Sequence, residues 1–138
     1  MNYDPIFDKW HEECGVFGVF DRTVDVARYV YWGLFALQHR GQESAGIAIT
    51  DGNEVALKKG MGLLTEAIKE LPTLKSHMGT GHVRYSTTGS NNPRNIQPLV
   101  IHNQGGQIAV AHNGNLTNAL GIRRQLEADG SIFQTTMD

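Results

Sequence analysis

The sequence predicts an α+β fold in which antiparallel strands are layered against helices. Two observations carry this. Short apolar strands come as hairpin pairs joined by turn residues, and helical spacing falls between those pairs. The strand–helix–strand rhythm of a parallel sheet is absent. In order, Gly15-Val16-Phe17-Gly18-Val19-Phe20 reads as a buried strand, and Asp21, Arg22 and Thr23 as a turn. Val26, Tyr29, Val30, Gly33, Leu34 and Leu37 recur at helical spacing, which predicts an amphipathic helix over 24–39. Residues 45–50 and 54–59 form strands of one hairpin around Asp51-Gly52-Asn53. A short helix over 64–71 stops at Pro72. Residues 81–87 read as a strand and 88–98, rich in Gly, Asn and Pro, as loop. Residues 99–102 and 107–112 make a second hairpin, and Asn115 or Thr117 caps a helix that runs to about Ala128 and ends at Asp129-Gly130. Residues 132–136 read as one more strand.

Composition narrows the function classes. The chain has 138 residues, 40% hydrophobic and 19% charged, which suits one globular domain. Twelve Lys and Arg against 14 Asp and Glu give a net charge of −2, with no electrostatic case for nucleic acid or an anionic membrane surface. One cysteine excludes an internal disulfide and a four-cysteine zinc or iron–sulfur site built from this segment alone. No apolar run is long enough to span a membrane, and the acidic start lacks the apolar core of a secretory signal, so the expected location is the cytoplasm. Residues 1–13 hold Asp4, Asp8, Glu12 and Glu13 against Lys9 alone, which sets them apart as a leader or as an acidic frayed terminus.

Polar groups gather at strand ends. Cys14 precedes the first apolar strand and is either a small buried hydrophobe or a nucleophile. Arg84 either makes a surface ion pair or offers a guanidinium fork to a carboxylate. Asn113-Gly114 is either a plain turn or an oxyanion hole built from one side-chain amide and one backbone N–H. Among the six histidines, His82 and His112 fall on predicted strands, but no closely spaced pair or carboxylate cluster accompanies them. They read as histidines hydrogen-bonded within the structure, and no metal is expected.

Five separated motifs, in order, resemble one family. They are Glu13-Cys14-Gly15-Val16-Phe17-Gly18, the run Ala36-Leu37-Gln38-His39-Arg40-Gly41-Gln42-Glu43-Ser44-Ala45-Gly46-Ile47, the run Gly81-His82-Val83-Arg84-Tyr85-Ser86-Thr87-Thr88-Gly89-Ser90, Asn95-Ile96-Gln97-Pro98, and His112-Asn113-Gly114-Asn115-Leu116. Together they resemble the N-terminal part of the glutamine phosphoribosylpyrophosphate amidotransferases, within the N-terminal-nucleophile glutamine amidotransferases. The resemblance spans residues 12–138. It implies a four-layer αββα sandwich of antiparallel sheets, of which this chain holds the N-terminal portion. It also implies roles: Cys14 as nucleophile, Asn113 and Gly114 as oxyanion hole, and Arg84 and Thr87 on the glutamine α-carboxylate. Asp138 would take the α-ammonium, and Arg40 and Gly41 would line the site beside the nucleophile. The family pattern has Ser before that Asp, where this chain has Met137.

Physical chemistry adds one requirement. An amide leaving group needs a proton, and an N-terminal amine, with a pKa of about 7.7–8.0, can shuttle it. The nitrogen of an internal Cys14 is an amide and cannot. Residues 1–13 are therefore expected to be a propeptide. The resemblance implies that 14–138 are a truncated glutaminase domain lacking the phosphoribosyltransferase acceptor domain. By the resemblance, glutamine is the substrate here. Phosphoribosyl pyrophosphate and Mg2+ belong to the missing part, as does the [4Fe–4S] cluster that some members carry, and the parent enzymes are homo-oligomers. The competing readings are a catalytically incompetent truncated fragment with an assembly role, and a related sugar-phosphate glutaminase.

Overall fold

The computed structural model describes residues 14–85 and 92–137. The expected leader over 1–13, the end of the expected 81–87 strand and the first part of the 88–98 loop lie outside the described residues. Four strands form one antiparallel sheet in the order β1-β4-β2-β3. They are β1 (Gly15–Phe20), β2 (Ser44–Thr50), β3 (Val55–Met61) and β4 (Met78–Arg84). Gly15 lies opposite Val83, and Ile47 opposite Gly81. A separate hairpin pairs β5 (Leu99–Asn103) with β6 (Gly106–Val110).

Helix α1 (Val26–Ala36) covers one face of the four-stranded sheet. Its apolar stripe puts Val26, Val30 and Leu34, each at most 1% exposed, against Ala45, Ile47, Ile49 and Val83. The helix packs close because β4 offers Gly79 and Gly81 to it; a Cβ on Gly81 would sit 2.6 Å from Leu34. Asp25 caps the helix by accepting the Arg28 N–H at 3.2 Å. The strand period of two sends the alternate residues of β2 and β4, among them Ser44, Gly46, Thr80, His82 and Arg84, to the opposite face. The β5–β6 hairpin approaches that face, where Gln107 accepts the Val55 N–H. Phe20, Ala48, Met78, Thr80 and Ile108 line a gap of about 590 Å³ between the sheets.

Several boundaries differ from the sequence reading. The helix expected over 24–39 ends at Ala36, and a 3-10 turn (Gln38–Arg40) follows it, because the Leu37 N–H closes onto both Gly33 and Leu34 carbonyls. The expected 64–71 helix is the single turn α2 (Leu64–Ala67). It is held at its start by the Leu64 N–H on Gln38 Oε1 at 2.7 Å, and it stops well before Pro72. The 88–98 loop contains a 3-10 turn (Pro93–Asn95). Helix α3 (Ala119–Ala128) starts after Asn118, so neither Asn115 nor Thr117 is its cap.

The strand expected over 132–136 is not one. Ile132 is 89% exposed and the segment joins no sheet. Its apolar residues satisfy the local pattern of a strand, but among the described residues no strand edge pairs with it.

Candidate active site at the Cys14 end of the sheet

The outer ends of β1 and β4 bring together residues far apart in sequence. Cys14 is half-buried at the start of β1. Its Sγ is 3.4 Å from the Tyr85 carbonyl, to which the thiol donates, and 3.4 Å from the Tyr85 N–H, which donates to it. Arg40 Nε donates to the Cys14 carbonyl at 3.3 Å, so the 3-10 turn sets its cation beside the sulfur-bearing residue. Gly41 fits because it has no side chain: a Cβ there would lie 2.7 Å from the Val83 carbonyl oxygen and 2.6 Å from the Arg84 carbonyl carbon. Arg40 thus lies beside Cys14, and Gly41 against the end of β4.

Arg84 ends β4 with its side chain 14% exposed. Nη1 donates to the Asn95 carbonyl at 3.1 Å, and Nε stands 3.9 Å from Glu43 Oε2. Those contacts leave other N–H groups of the fork for a ligand. Arg84 and Asn95 line one side of a cleft of about 1050 Å³ whose other walls include Leu120, Arg123, Thr136 and Met137. Asn113 and Gly114 follow β6 on exposed backbone. Gly114 has φ +140, a conformation that disfavours residues with a side chain and turns the chain sharply there. Thr87 and Asp138 lie outside the described residues.

Sequence reading missed the part played by Asn95 and Gln97. Both are buried, at 2% and 7% exposure. The Asn95 amide bonds Thr136 twice, Nδ2 to Oγ1 at 2.7 Å and Oδ1 from the backbone N–H at 3.1 Å. Gln97 Oε1 accepts the His112 N–H, and its Nε2 donates to Met137 Sδ at 3.5 Å. The clue was a pair of carboxamides spaced by two within one short motif, but their partners lie 41 and 15 residues away.

His82 departs from expectation. It is fully buried, and neither ring nitrogen makes a well-formed hydrogen bond, although the His112 backbone lies close enough to act on it. Burial pushes its pKa down to about 4; the nearby Arg84 cation pushes the same way, and the His112 backbone opposes. His102, by contrast, shares its Nδ1 with Gln107 Nε2 at 3.1 Å. Among the described residues no three His, Cys, Asp or Glu side chains gather where a metal ion would fit, and no helix is long and apolar enough to cross a membrane.

The description "Glutamine amidotransferases class-II" matches residues 36–131, which takes in Arg40, Gly41, Arg84, Asn113 and Gly114. The chain belongs to the class-II glutamine amidotransferases. Similar curated proteins include the amidophosphoribosyltransferases of Methanocaldococcus jannaschii, 48% identical over 91% of this chain, and of Bacillus subtilis, 49% identical over 93%. This amidotransferase chain spans 27% of the length of each. In three dimensions it is similar to the glutamine phosphoribosylpyrophosphate amidotransferase of B. subtilis solved with ADP and GMP. The TM-score is 0.81 at 47% identity, over 89% of this chain and 27% of that one. A second structure, an allosteric regulatory enzyme of purine biosynthesis, gives 0.79 at 44% identity, over 87% of this chain and 26% of that one. The α+β fold expected from sequence is therefore present as an N-terminal portion of the amidotransferase sandwich. Helix α1, the four-stranded sheet and the β5–β6 hairpin lie in layer order.

Proposed function

We propose that this chain carries the nucleophile-bearing part of a glutaminase that releases ammonia from the glutamine side chain. In the complete polypeptide, that ammonia converts phosphoribosyl pyrophosphate to phosphoribosylamine, the first step of de novo purine synthesis. The observation that carries the reading is the meeting of Cys14, Arg40 and Arg84 at one end of the sheet in a class-II amidotransferase chain.

The chemistry follows from the groups. Removal of residues 1–13 leaves Cys14 with a free α-amine. The Cys14 thiolate attacks the glutamine carboxamide carbon, and the oxyanion is held by the Asn113 amide and the Gly114 N–H. The α-amine delivers the proton to the departing ammonia. Water then hydrolyses the γ-glutamyl thioester, giving glutamate and returning the thiol. Arg84 and Thr87 hold the α-carboxylate of glutamine, and Asp138 its α-ammonium. With one cysteine, this segment cannot ligate a four-cysteine cluster. Any iron–sulfur group, like Mg2+ and the phosphoribosyl pyrophosphate site, belongs to polypeptide after Asp138. The parent is proposed to act in the cytoplasm as a homo-oligomer. The named relatives are amidophosphoribosyltransferases, which weighs against the sugar-phosphate alternative.

The test is glutamine hydrolysis by the complete enzyme and by its Cys14→Ala variant. Ammonia release by the former and none above background by the latter supports the reading; equal release by both overturns it.

A further inference from the structure

The structure holds a feature that the proposed chemistry does not use. Asn95, Ile96 and Gln97 form a short buried strap across the end of β2 and β4, too close to Gly46 for any side chain there. Two cations hold its carbonyls: Arg84 Nη1 on Asn95 at 3.1 Å, and Lys59 Nζ on Ile96 at 2.9 Å. Its side chains reach the other way. Asn95 grips Thr136 through both a donor and an acceptor, and Gln97 binds the His112 N–H and Met137 Sδ. The 135–137 segment has no sheet partner, and its further polar ties run to Arg123 of α3, which donates to the Thr135 carbonyl at 2.9 Å and the Met137 carbonyl at 3.4 Å. A segment without a ladder depends on such side-chain bonds for its position.

We propose that Asn95 is a positioning residue: its carboxamide fixes the Thr136 segment at a set distance from Arg84, and so shapes the pocket that takes the α-amino-acid end of glutamine. This inference rests on the function proposed above. Asparagine suits the task because one planar amide meets the N–H and the hydroxyl of the same threonine, while its own backbone carbonyl holds Arg84. One residue thereby ties both walls of the cleft.

The experiment uses the complete enzyme, with glutamine-dependent ammonia release read as KM and kcat separately. Asn95→Ala removes two hydrogen bonds and is expected to raise the glutamine KM roughly tenfold or more with a much smaller change in kcat. Thr136 is exposed, so it supplies a second test that does not disturb the core. Thr136→Val is expected to raise KM by a smaller factor and Thr136→Ser to restore it. Synthesis from added ammonium salt stays unchanged in all three, which a general loss of fold would not allow. An unchanged glutamine KM in both Asn95→Ala and Thr136→Val, beside an active wild type, overturns this inference alone. If Asn95→Ala does not fold, the Thr136 pair decides. A wild type that hydrolyses no glutamine overturns the proposed function and this inference with it.

Discussion

The thiol of Cys14 is bracketed by the backbone of Tyr85, 3.4 Å from its N–H and 3.4 Å from its carbonyl. The two residues are 71 apart in sequence and meet because β1 and β4 are neighbours in the sheet. The sulfur is therefore aimed by main-chain geometry, which no side-chain change at Tyr85 removes. Tyr85→Phe is expected to leave the rate of Cys14 alkylation by iodoacetamide within about twofold, since a surface hydroxyl contributes little. The measurement is adduct formation followed by intact mass, and a tenfold change would show that the side chain, not the backbone, sets the sulfur's surroundings.

Arg84→Lys is expected to be a poor substitute. A lysine ammonium cannot hold the Asn95 carbonyl, face Glu43 and present a planar fork to a carboxylate at once. The glutamine KM is expected to rise on the order of tenfold to a hundredfold, consistent with loss of one or two charge-assisted bonds. Steady-state kinetics of the complete enzyme measures it, and a KM within twofold of wild type would contradict the assignment.

Gly41→Ala places a Cβ 2.6–2.7 Å from the backbone of Val83 and Arg84. Backbone cannot rotate away, so the turn carrying Arg40 must move off the end of β4. A loss of about 1–3 kcal/mol is expected from such overpacking. Thermal unfolding reads the loss, and the alkylation rate of Cys14 reads the shift of its neighbour Arg40. An unchanged melting temperature would contradict the tight packing described.

His82 makes acid stability a specific prediction. Its folded pKa of about 4 lies below the ordinary 6.5. Between those values the unfolded chain holds a proton that the folded chain does not. The stabilising effect of keeping the ring neutral is whole above about pH 6.5 and is lost as pH falls toward 4, up to about 3 kcal/mol. His82→Leu removes that term, so its melting temperature should fall less steeply than wild type between pH 7 and 4.5. Parallel slopes for the two proteins would contradict a buried neutral ring.

Much of this fold was legible because its elements are local. The Asp51-Gly52-Asn53 turn fixed the hairpin of β2 and β3, and the Val26, Val30 and Leu34 stripe fixed the buried face of α1. Arg40 reaches the Cys14 carbonyl and Gly41 packs on the end of β4 because the 3-10 turn after α1 folds back onto the sheet. What failed was decided by tertiary neighbours. Residues 132–136 carry a strand's composition, yet Ile132 is exposed and Thr136 belongs to Asn95. His82 looks like any strand histidine until the face of β4 that buries it is known. Asn95 and Gln97 read as loop residues because their partners lie far along the chain.

The most direct measurement is intact mass of the complete protein during reaction with an electrophilic glutamine analogue. The account predicts one adduct, on Cys14, in molecules that begin at Cys14, and none in molecules that keep residues 1–13. Labelling of both forms at the same rate would contradict it, because the proton shuttle would then not be the Cys14 amine.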